Sequence, residues 1–433
     1  MKKILLSFAL LGTLSMSVRA AADQPADASS FDQLLKQITV ETPAAPEPAF
    51  NIEKTEVLPA EGRFWVTVKA ADKYERTRLL EAGMDIVEIK GDLVSGFAGQ
   101  HTMDALSSKA FSLVSKMTVE QKYARGVTKD FPAADAAYHN YKETTDLLNQ
   151  LASKNSDIAS VFSIGKTTEG RDIWCLRINA SAKGTAPSSK PGAFFLGNVH
   201  AREHLANEVP LLFASWLFDH RNDADIKRYI STLDIYIIPM GNPDGVEYDI
   251  KGGKYQYFRK NARVNPDKSI GVDLNRNFDS WWCEAGASTY PGADTYCGPK
   301  AFSEPESQHL RDFMLARKNL KTHISYHSYA SEILYPWGGN DADVPNAKDK
   351  DAFVKMSGEM GKLTGYTARK SSDMYIATGD SCDWAYDKGG ILAFTFELEG
   401  NGFYPGAGLI TKTVNSNIKA AVYLLSKTAN PYN

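Results

Sequence analysis

The strongest constraint on the fold is a series of short apolar segments that alternate with helix-like segments from about residue 138 to the end of the chain. DIWCLRI (172–178) and AFFLGNV (193–199) are largely apolar, as buried strands are. Between such segments, YKETTDLLNQLASK (141–154) and LANEVPLLFASWLFDH (205–220) have the spacing and length of helices. This alternation predicts an α/β fold, a mixed, mostly parallel twisted sheet flanked by helices.

The N-terminus has the pattern of an export signal. Residues 1–22 carry Lys2 and Lys3, then an apolar core and small residues, which together are typical of a bacterial secretory signal peptide. We therefore expect an exported protein, secreted or periplasmic. Residues 23–61 are rich in Ala, Pro and Asp and predict a linker.

A small domain follows at residues 62–130. Residues 63–70 predict a strand and residues 84–99 a strand pair, whereas residues 72–83 and 102–117 have helical spacing. The pattern indicates a small α+β domain. Its basic, turn-rich end offers three candidate points for proteolytic cleavage, Lys122, Arg125 and Lys129.

Ionisable residues follow three of the predicted strands of the large domain. His200 comes after AFFLGNV, His327 ends the strand THISY, and Glu397 ends LAFTF. Ligands of open α/β sheets bind at the carboxyl ends of the strands. Because buried charges need partners, these residues are better suited to a site than to a core.

His200 and Glu203 are three residues apart, so both side chains can reach one metal ion. Two histidines and a glutamate are a standard ligand set of catalytic zinc, and we favour His327 as the third ligand because it lies at a strand end. The alternative is the H-x-x-E-H motif, in which His200 and His204 bind the metal from one helix and Glu203 is the general base. The strand pattern before His200 and the helix pattern that begins near residue 205 disfavour this alternative.

The four cysteines suit an oxidising compartment. Cys283 and Cys297 lie in one loop rich in Gly, Pro and Trp, and their spacing allows a disulfide that closes this loop. We expect Cys175 and Cys382 to be free thiols.

Six segments, in this order, together resemble the zinc metallocarboxypeptidases of the carboxypeptidase A/B type. The resemblance covers residues 138 to 433 and implies a carboxypeptidase-like fold, one Zn²⁺ per catalytic domain and hydrolysis of the C-terminal peptide bond of peptides and proteins. The segments are GNVHAREHLANE (197–208), NPDG (242–245), GVDLNRNF (271–278), YPGADTYCGPKAFSEPES (290–307), SYHSYASEILYPWG (325–338) and CDWAYDKGGILAFTFELEG (382–400).

The resemblance implies roles for individual residues. His200, Glu203 and His327 match the zinc ligands, and His204 has no ligand role. Glu397 matches the general base, which takes a proton from water and delivers it to the leaving amine. Arg259 matches the arginine that polarises the scissile carbonyl and stabilises the oxyanion.

Further residues match the family's substrate contacts. Asn275 and Arg276 match the pair that holds the terminal carboxylate, which an arginine binds with two charge-assisted hydrogen bonds. Tyr375 matches a mobile tyrosine that closes over this carboxylate. Arg202 and Tyr329 match outer substrate contacts.

The residues of the specificity pocket favour an apolar or aromatic C-terminal side chain. By the resemblance, Cys382 occupies the floor of the pocket, and Gly338 and Thr395 are small, uncharged lining residues. Arg369 and Lys370 lie near a wall position that is usually uncharged in the family, which leaves a preference for acidic residues open.

By the same resemblance, residues 62–130 correspond to a pro-domain and residues 131–433 to the catalytic domain. The protein is then a zymogen, whose partners are peptide or protein substrates with a free C-terminus and an activating protease. The alternative is that the small domain is a folding aid or an accessory module that stays attached.

Composition excludes other partners. A net charge of −3 argues against nucleic acid, and no apolar stretch approaches the roughly 20 residues that span a bilayer. We expect a monomer.

Two other functions stay open: a carboxypeptidase that acts on murein peptides of the cell wall, and a peptide-binding protein without catalysis.

Overall fold

The computed structural model describes residues 28–38, 62–119 and 131–433. The predicted signal peptide, most of the predicted linker and the three candidate cleavage points lie outside these residues. The residues up to Gln37 and those from Ile38 onward form separate units. In the first unit, helix α1 (Ala28–Gln37) occupies part of the predicted linker, and sequence analysis missed it.

The N-terminal subdomain, residues 62–119, is a four-stranded antiparallel sheet with two helices. The strands lie in the order β2-β3-β1-β4, so β2 and β4 are its edges. Apolar side chains of the sheet and both helices, among them Val66, Leu79 and Leu106, form its core. Its elements are β1 (Arg63–Lys69), α2 (Lys73–Glu81), β2 (Asp85–Lys90), β3 (Leu93–Gly99), α3 (Gln100–Ser108) and β4 (Leu113–Thr118).

The prediction of a single helix over residues 102–117 was wrong in its second half. Helix α3 ends at Ser108, and Ala110 has a positive φ of 59°, which turns the chain back. Residues Leu113–Thr118 then pair with β1 as an edge strand. The pairing with β1 overrode the helical spacing of this segment, as tertiary context commonly does.

The larger part of the chain, residues 131–433, contains an eight-stranded sheet flanked by helices. Its strands are β5 (Ala159–Lys166), β6 (Asp172–Ile178), β7 (Gly192–Leu196), β8 (Asp234–Ile238), β9 (Leu320–Ser328), β10 (Glu332–Tyr335), β11 (Thr367–Lys370) and β12 (Leu392–Leu398). Its helices are α4 (Tyr141–Lys154), α5 (Leu205–Asp219), α6 (Ala224–Thr232), α7 (Pro243–Asp249), α8 (Pro305–Leu315), α9 (Ala347–Thr364), α10 (Ser381–Gly389) and α11 (Ile410–Thr428).

The strand order is β11-β10-β12-β9-β7-β8-β6-β5. The pairs β11–β10, β12–β9, β9–β7 and β7–β8 are parallel, whereas β10–β12, β8–β6 and β6–β5 are antiparallel. This confirms the predicted mixed α/β sheet. Because β12, β9 and β7 are adjacent and parallel, their carboxyl ends meet at one edge, where the predicted site residues lie.

The segment NPDG (242–245) forms the start of a helix. The Asn242 side chain accepts a hydrogen bond from the backbone N–H of Gly245, and Pro243 occupies the first turn of α7. Both features are typical of a helix N-terminus.

The cysteine prediction is confirmed. A disulfide joins Cys283 to Cys297 with a Cα–Cα distance of 5.9 Å, and Cys175 and Cys382 are buried free thiols. In the part of the chain that the structure describes, no helix is both long and apolar enough to cross a membrane.

Candidate active site

A loop of residues 197–204 carries the first two predicted metal ligands. Strand β7 ends before this loop, and α5 begins after it. Gly197 is required here, because a Cβ atom at this position would lie 2.1 Å from the carbonyl oxygen of Ala206. The Asn198 amide donates to the carbonyl oxygen of His200 at 2.7 Å. Since the helix begins only at Leu205 and His200 lies outside it, the alternative in which His200 and His204 bind the metal from one helix is wrong.

His200, Glu203 and His327 come together, and their ligand atoms all lie within 4.8 Å of one another. Glu203 Oε1 is 2.9 Å from His200 Nδ1, and Glu203 Oε2 is 3.0 Å from His327 Nδ1. The two Nδ1 atoms are themselves 3.0 Å apart. Two imidazole nitrogens and a carboxylate that face one point are a donor set that fits zinc.

The outer nitrogens of both histidines also have partners. His200 Nε2 is 3.2 Å from Asp273 Oδ1, and His327 Nε2 is 3.1 Å from Ser325 Oγ. Such contacts fix the orientation of a metal-binding imidazole. Sequence analysis missed Asp273, although an aspartate two positions before Asn275 of the candidate Asn275–Arg276 pair was a usable signal.

Asp273 also contacts Arg259. The Arg259 Nε donates to Asp273 Oδ2 at 3.0 Å, so one carboxylate connects the arginine to His200. Burial alone would raise the pKa of Asp273, but Arg259 and His200 hold it well below its usual range. Asp273 is therefore an anion that fixes both side chains.

Glu397 lies beside the three candidate ligands. It is paired in register with His327 across β12 and β9, and it borders the same cavity. Burial and the Glu203 carboxylate raise the pKa of Glu397 to about 7, against the opposing effect of His327. A carboxylate with such a pKa can both accept and return a proton near neutral pH.

His204, the last residue of the HAREH segment, does not face the cluster. Its Nε2 is 2.8 Å from Asp249 Oδ2, and both side chains are buried. This fits the expectation that His204 has no ligand role.

Asn275, Arg276 and Tyr375 line the same cavity, whose volume is about 350 Å³. The Asn275 amide is held by the start of α10, since it donates to Asp380 and accepts from the backbone N–H of Ser381. The Arg276 Nε donates to the carbonyl oxygen of Gly286 at 3.0 Å. Tyr375 and Gly379 lie in the connection between β11 and α10, which we call the Tyr375 loop. This loop approaches Arg276 so closely that a Cβ atom at Gly379 would lie 2.3 Å from the Arg276 carbonyl oxygen.

Arg202 and Tyr329 also line the cavity, close to the N-terminal subdomain. Arg202 is fully buried and pairs with Asp85 of β2. Its guanidinium lies 4.1 Å from the ring centroid of Phe403. Tyr329 packs edge-to-face on the same ring.

The specificity residues are partly where the resemblance puts them. Gly338 and Thr395 line the cavity, as does Arg369. Cys382 is buried beside Thr395, whose hydroxyl is 3.3 Å from its sulfur, and it is not among the described residues that border the cavity. Lys370 is directed away and donates to the carbonyl oxygen of Asp341.

Comparisons with known proteins show the family to which this chain belongs. The family model described as zinc carboxypeptidase matches residues 144–420, more than half of the chain. The zinc carboxypeptidase of Saccharothrix mutabilis subsp. capreolus is 30% identical over 382 residues, which are 83% of this chain and 87% of that protein. Carboxypeptidase B of Canis lupus familiaris is 33% identical over 298 residues, which are 67% of this chain and 69% of that protein.

A solved structure is similar over most of the chain. Carboxypeptidase A from Helicoverpa armigera aligns with a TM-score of 0.69 at 22% identity and covers 85% of this chain and 98% of that one. At this identity the likeness concerns the fold. The chain belongs to the zinc carboxypeptidase family, and it is a zinc-dependent metallocarboxypeptidase, a hydrolase that acts on peptides.

Proposed function

We propose that this enzyme removes the C-terminal residue of peptides and proteins, with His200, Glu203 and His327 as zinc ligands. The observation that carries the proposal is the convergence, in one cavity, of this ligand set with Glu397 and Arg276. When bound, zinc acts as a Lewis acid that polarises the scissile carbonyl and makes water a stronger nucleophile.

In this proposal Glu397 moves the proton. It accepts a proton from the attacking water and returns it to the leaving amine. Its raised pKa suits both steps, because a group that titrates near the working pH is an efficient base and an efficient acid. Arg259 donates to the oxygen on which negative charge develops, and Asp273 holds the guanidinium in place.

Asn275, Arg276 and Tyr375 select the end of the chain. The Arg276 guanidinium binds the terminal carboxylate of the substrate, and Asn275 supplies a further donor. The Tyr375 hydroxyl closes over this carboxylate. A peptide bond one residue from this anchor then lies at the zinc site, which makes the enzyme an exopeptidase.

The test is Glu397→Gln on the zinc-loaded protein. We expect hydrolysis of a peptide with a free C-terminus to fall by more than about 100-fold, since general acid–base catalysis is lost. Zinc content should stay at one ion per chain. Glu359→Gln, which changes an exposed glutamate of α9, is the matched control. Unchanged turnover in the Glu397 variant would contradict the mechanism.

We propose further that residues 62–130 are a pro-domain that inhibits the enzyme. Strand β2 supplies one wall of the cavity through residues 85–90. Asp85 of this strand pairs with Arg202, and its Oδ1 lies 3.5 Å from Arg259 Nη1. A carboxylate of the pro-domain therefore forms an ion pair with Arg259, the arginine that would stabilise the oxyanion.

The same subdomain also holds the loop that carries Tyr375. The Ile376 backbone N–H donates to the Thr77 hydroxyl at 2.9 Å, and Arg76 donates to the Met374 carbonyl oxygen at 3.1 Å. Both neighbours of Tyr375 in sequence are thus bound to α2. These contacts restrain the residue that our proposal requires to move.

Limited trypsin treatment tests the zymogen proposal, because Lys122, Arg125 and Lys129 are candidate cleavage points. We expect the intact chain to have little activity and the cleaved chain to be active. Equal activity before and after cleavage would leave the small domain as a folding aid or an accessory module.

We also propose that the protein is exported and acts as a monomer. Support for export comes from the signal-like pattern of residues 1–22 and from the disulfide, which suits an oxidising compartment. N-terminal sequencing of protein from the periplasm and the medium is the test. Uncut protein in the cytoplasm would contradict export.

For specificity we propose an apolar or aromatic C-terminal residue. The uncharged residues Leu334, Met374, Ala377 and Thr395 border the cavity. Of the two cations near the wall, Arg369 pairs with the Glu332 carboxylate, and Lys370 donates to the backbone carbonyl oxygen of Asp341. Hydrolysis rates of peptides that differ only in a C-terminal Phe, Lys or Glu decide the preference, and a strong preference for Lys or Glu would contradict the proposal.

A further inference from the structure

An ion pair lies in the wall of the catalytic cavity, and neither of its residues is a proposed metal ligand or the proposed general base. Glu332 begins β10, and Arg369 lies in the neighbouring strand β11. The Arg369 Nε donates to Glu332 Oε2 at 2.9 Å, and the Arg369 Nη2 donates to Glu332 Oε1 at 2.5 Å. This is a two-pronged pair, the geometry in which a guanidinium binds a carboxylate most strongly.

The position of the pair in the sheet puts it next to the space for the substrate. Glu332 is opposite Glu397 in the antiparallel β10–β12 pairing, and Leu334 is opposite Thr395. Leu334 is also the partner of Arg369 in the β10–β11 pairing. Glu332 therefore lies next to the general base, and Arg369 lies next to the uncharged lining residue Leu334, with Thr395 on the other side of Leu334.

Both charged side chains border the cavity, and neither is fully buried. The exposed fraction is 15% for the Glu332 side chain and 32% for Arg369. A substrate side chain that fills the cavity would exclude water from this wall, and an unpaired charge there would then need a counter-charge. Paired with each other, the two groups present no net charge to the substrate.

We propose that the Glu332–Arg369 pair is a specificity determinant: by neutralising each other, the two residues exclude charged C-terminal side chains. This inference rests on the proposed exopeptidase function and names the residues that set its substrate class. It follows that each partner, once freed, selects the opposite charge. Free Arg369 would accept a C-terminal Glu, and free Glu332 would accept a C-terminal Lys.

The experiment compares Glu332→Gln, Arg369→Gln and the double variant after zinc loading and limited trypsin treatment of the full chain. The substrates are three peptides that differ only in a C-terminal Phe, Lys or Glu. For Glu332→Gln, we expect kcat/KM for the Glu-ended peptide relative to the Phe-ended one to rise by about tenfold or more, the effect of one charge-assisted hydrogen bond. For Arg369→Gln, the Lys-ended peptide should gain similarly.

The ratio of two substrates is the decisive readout, because Glu332 lies beside the general base and its variants can change the overall rate. A merely structural role would lower all three rates together and leave the ratios unchanged. The double variant restores a neutral wall and should return to the wild-type ratios. Glu359→Gln with Lys362→Gln removes an exposed ion pair of α9 and is the matched control.

Ratios within twofold of wild type in both single variants would overturn the inference. The same shift in both single variants would also overturn it, because opposite freed charges must select opposite substrates. Failure of the wild-type enzyme to hydrolyse any of the three peptides, before or after trypsin treatment, would instead contradict the proposed function.

Discussion

The contact between Asp85 and the two arginines of the cavity gives the sharpest test of inhibition by the N-terminal subdomain. Asp85 is 2% exposed, Arg202 is fully buried and Arg259 is 8% exposed. Asp85→Asn removes the negative charge but keeps the size of the side chain. The variant leaves two buried guanidinium groups with one anionic partner fewer.

The size of the effect follows from the distances. At 3.5 Å from Arg259, a unit charge contributes about 5 kcal/mol at an effective dielectric constant of about 20. Removal of one partner from a buried ion pair costs about 3–5 kcal/mol in practice. Asp294 lies 4.0 Å from Arg202 and compensates part of the loss. We therefore expect the closed arrangement to weaken by about 3 kcal/mol, which corresponds to about 100-fold in the fraction of open molecules.

The assay is kcat/KM of the uncut, zinc-loaded chain for a Phe-ended peptide, expressed as a fraction of its value after trypsin treatment. Asp85→Asn should raise this fraction by up to about 100-fold, within its limit of one. The control is Asp92→Asn, which changes an exposed aspartate of the same subdomain, 3.8 Å from Lys69. An uncut Asp85 variant as inactive as wild type, with equal activity of both after cleavage, would refute the reasoning.

Three further predictions concern the metal, the base and the disulfide. Asp273→Asn should weaken zinc binding by about 10- to 100-fold, measured by competition with a chromophoric chelator; Asp267→Asn in an exposed loop is the control, and equal affinities would contradict the role of Asp273. In the proposed mechanism Glu397 must be ionised to accept a proton, and its pKa is raised to about 7. We therefore expect kcat/KM of the cleaved enzyme to fall on the acid side of the pH profile, with an apparent pKa at or below that value, because bound zinc lowers the pKa of Glu397. A rate that is constant until zinc dissociates would exclude this assignment. Cys283→Ser with Cys297→Ser should lower the free energy of unfolding by about 3 kcal/mol, measured with urea, and reduction of the wild-type protein should have the same effect.

The sheet and the centre of the site could be predicted from the sequence because both depend on local patterns. Apolar strands and helical spacing are contiguous in the chain, and the ends of three such strands gave His200, His327 and Glu397. The boundary between the strand before His200 and the helix after Glu203 excluded the helical metal motif. The prediction of a helix over residues 102–117 was wrong because it depended on a contact that is distant in sequence. Only pairing with β1 makes the second half of this segment a strand.

Residues that act through distant partners escaped the sequence analysis. Asp273 contacts His200 across 73 positions of the chain, and Asp85 contacts Arg202 across 117. Glu332 and Arg369 are 37 positions apart and meet only because β10 and β11 are adjacent. The charge of Arg369 was visible in the sequence, but its partner was not, so the sequence left a preference for acidic residues open.

The proposed inhibition and the proposed catalysis use the same charges. Arg259 is held by Asp273 on the side of the metal ligands and faces Asp85 on the side of the N-terminal subdomain. In our proposal, a substrate carbonyl that receives hydrogen bonds from Arg259 takes the place of the Asp85 carboxylate, so that the subdomain and the substrate exclude each other. Inhibition in the intact chain should therefore be competitive: it should raise KM for a small peptide more than it lowers kcat. A fall in kcat at unchanged KM would mean that the subdomain acts through the Tyr375 loop instead of through Arg259.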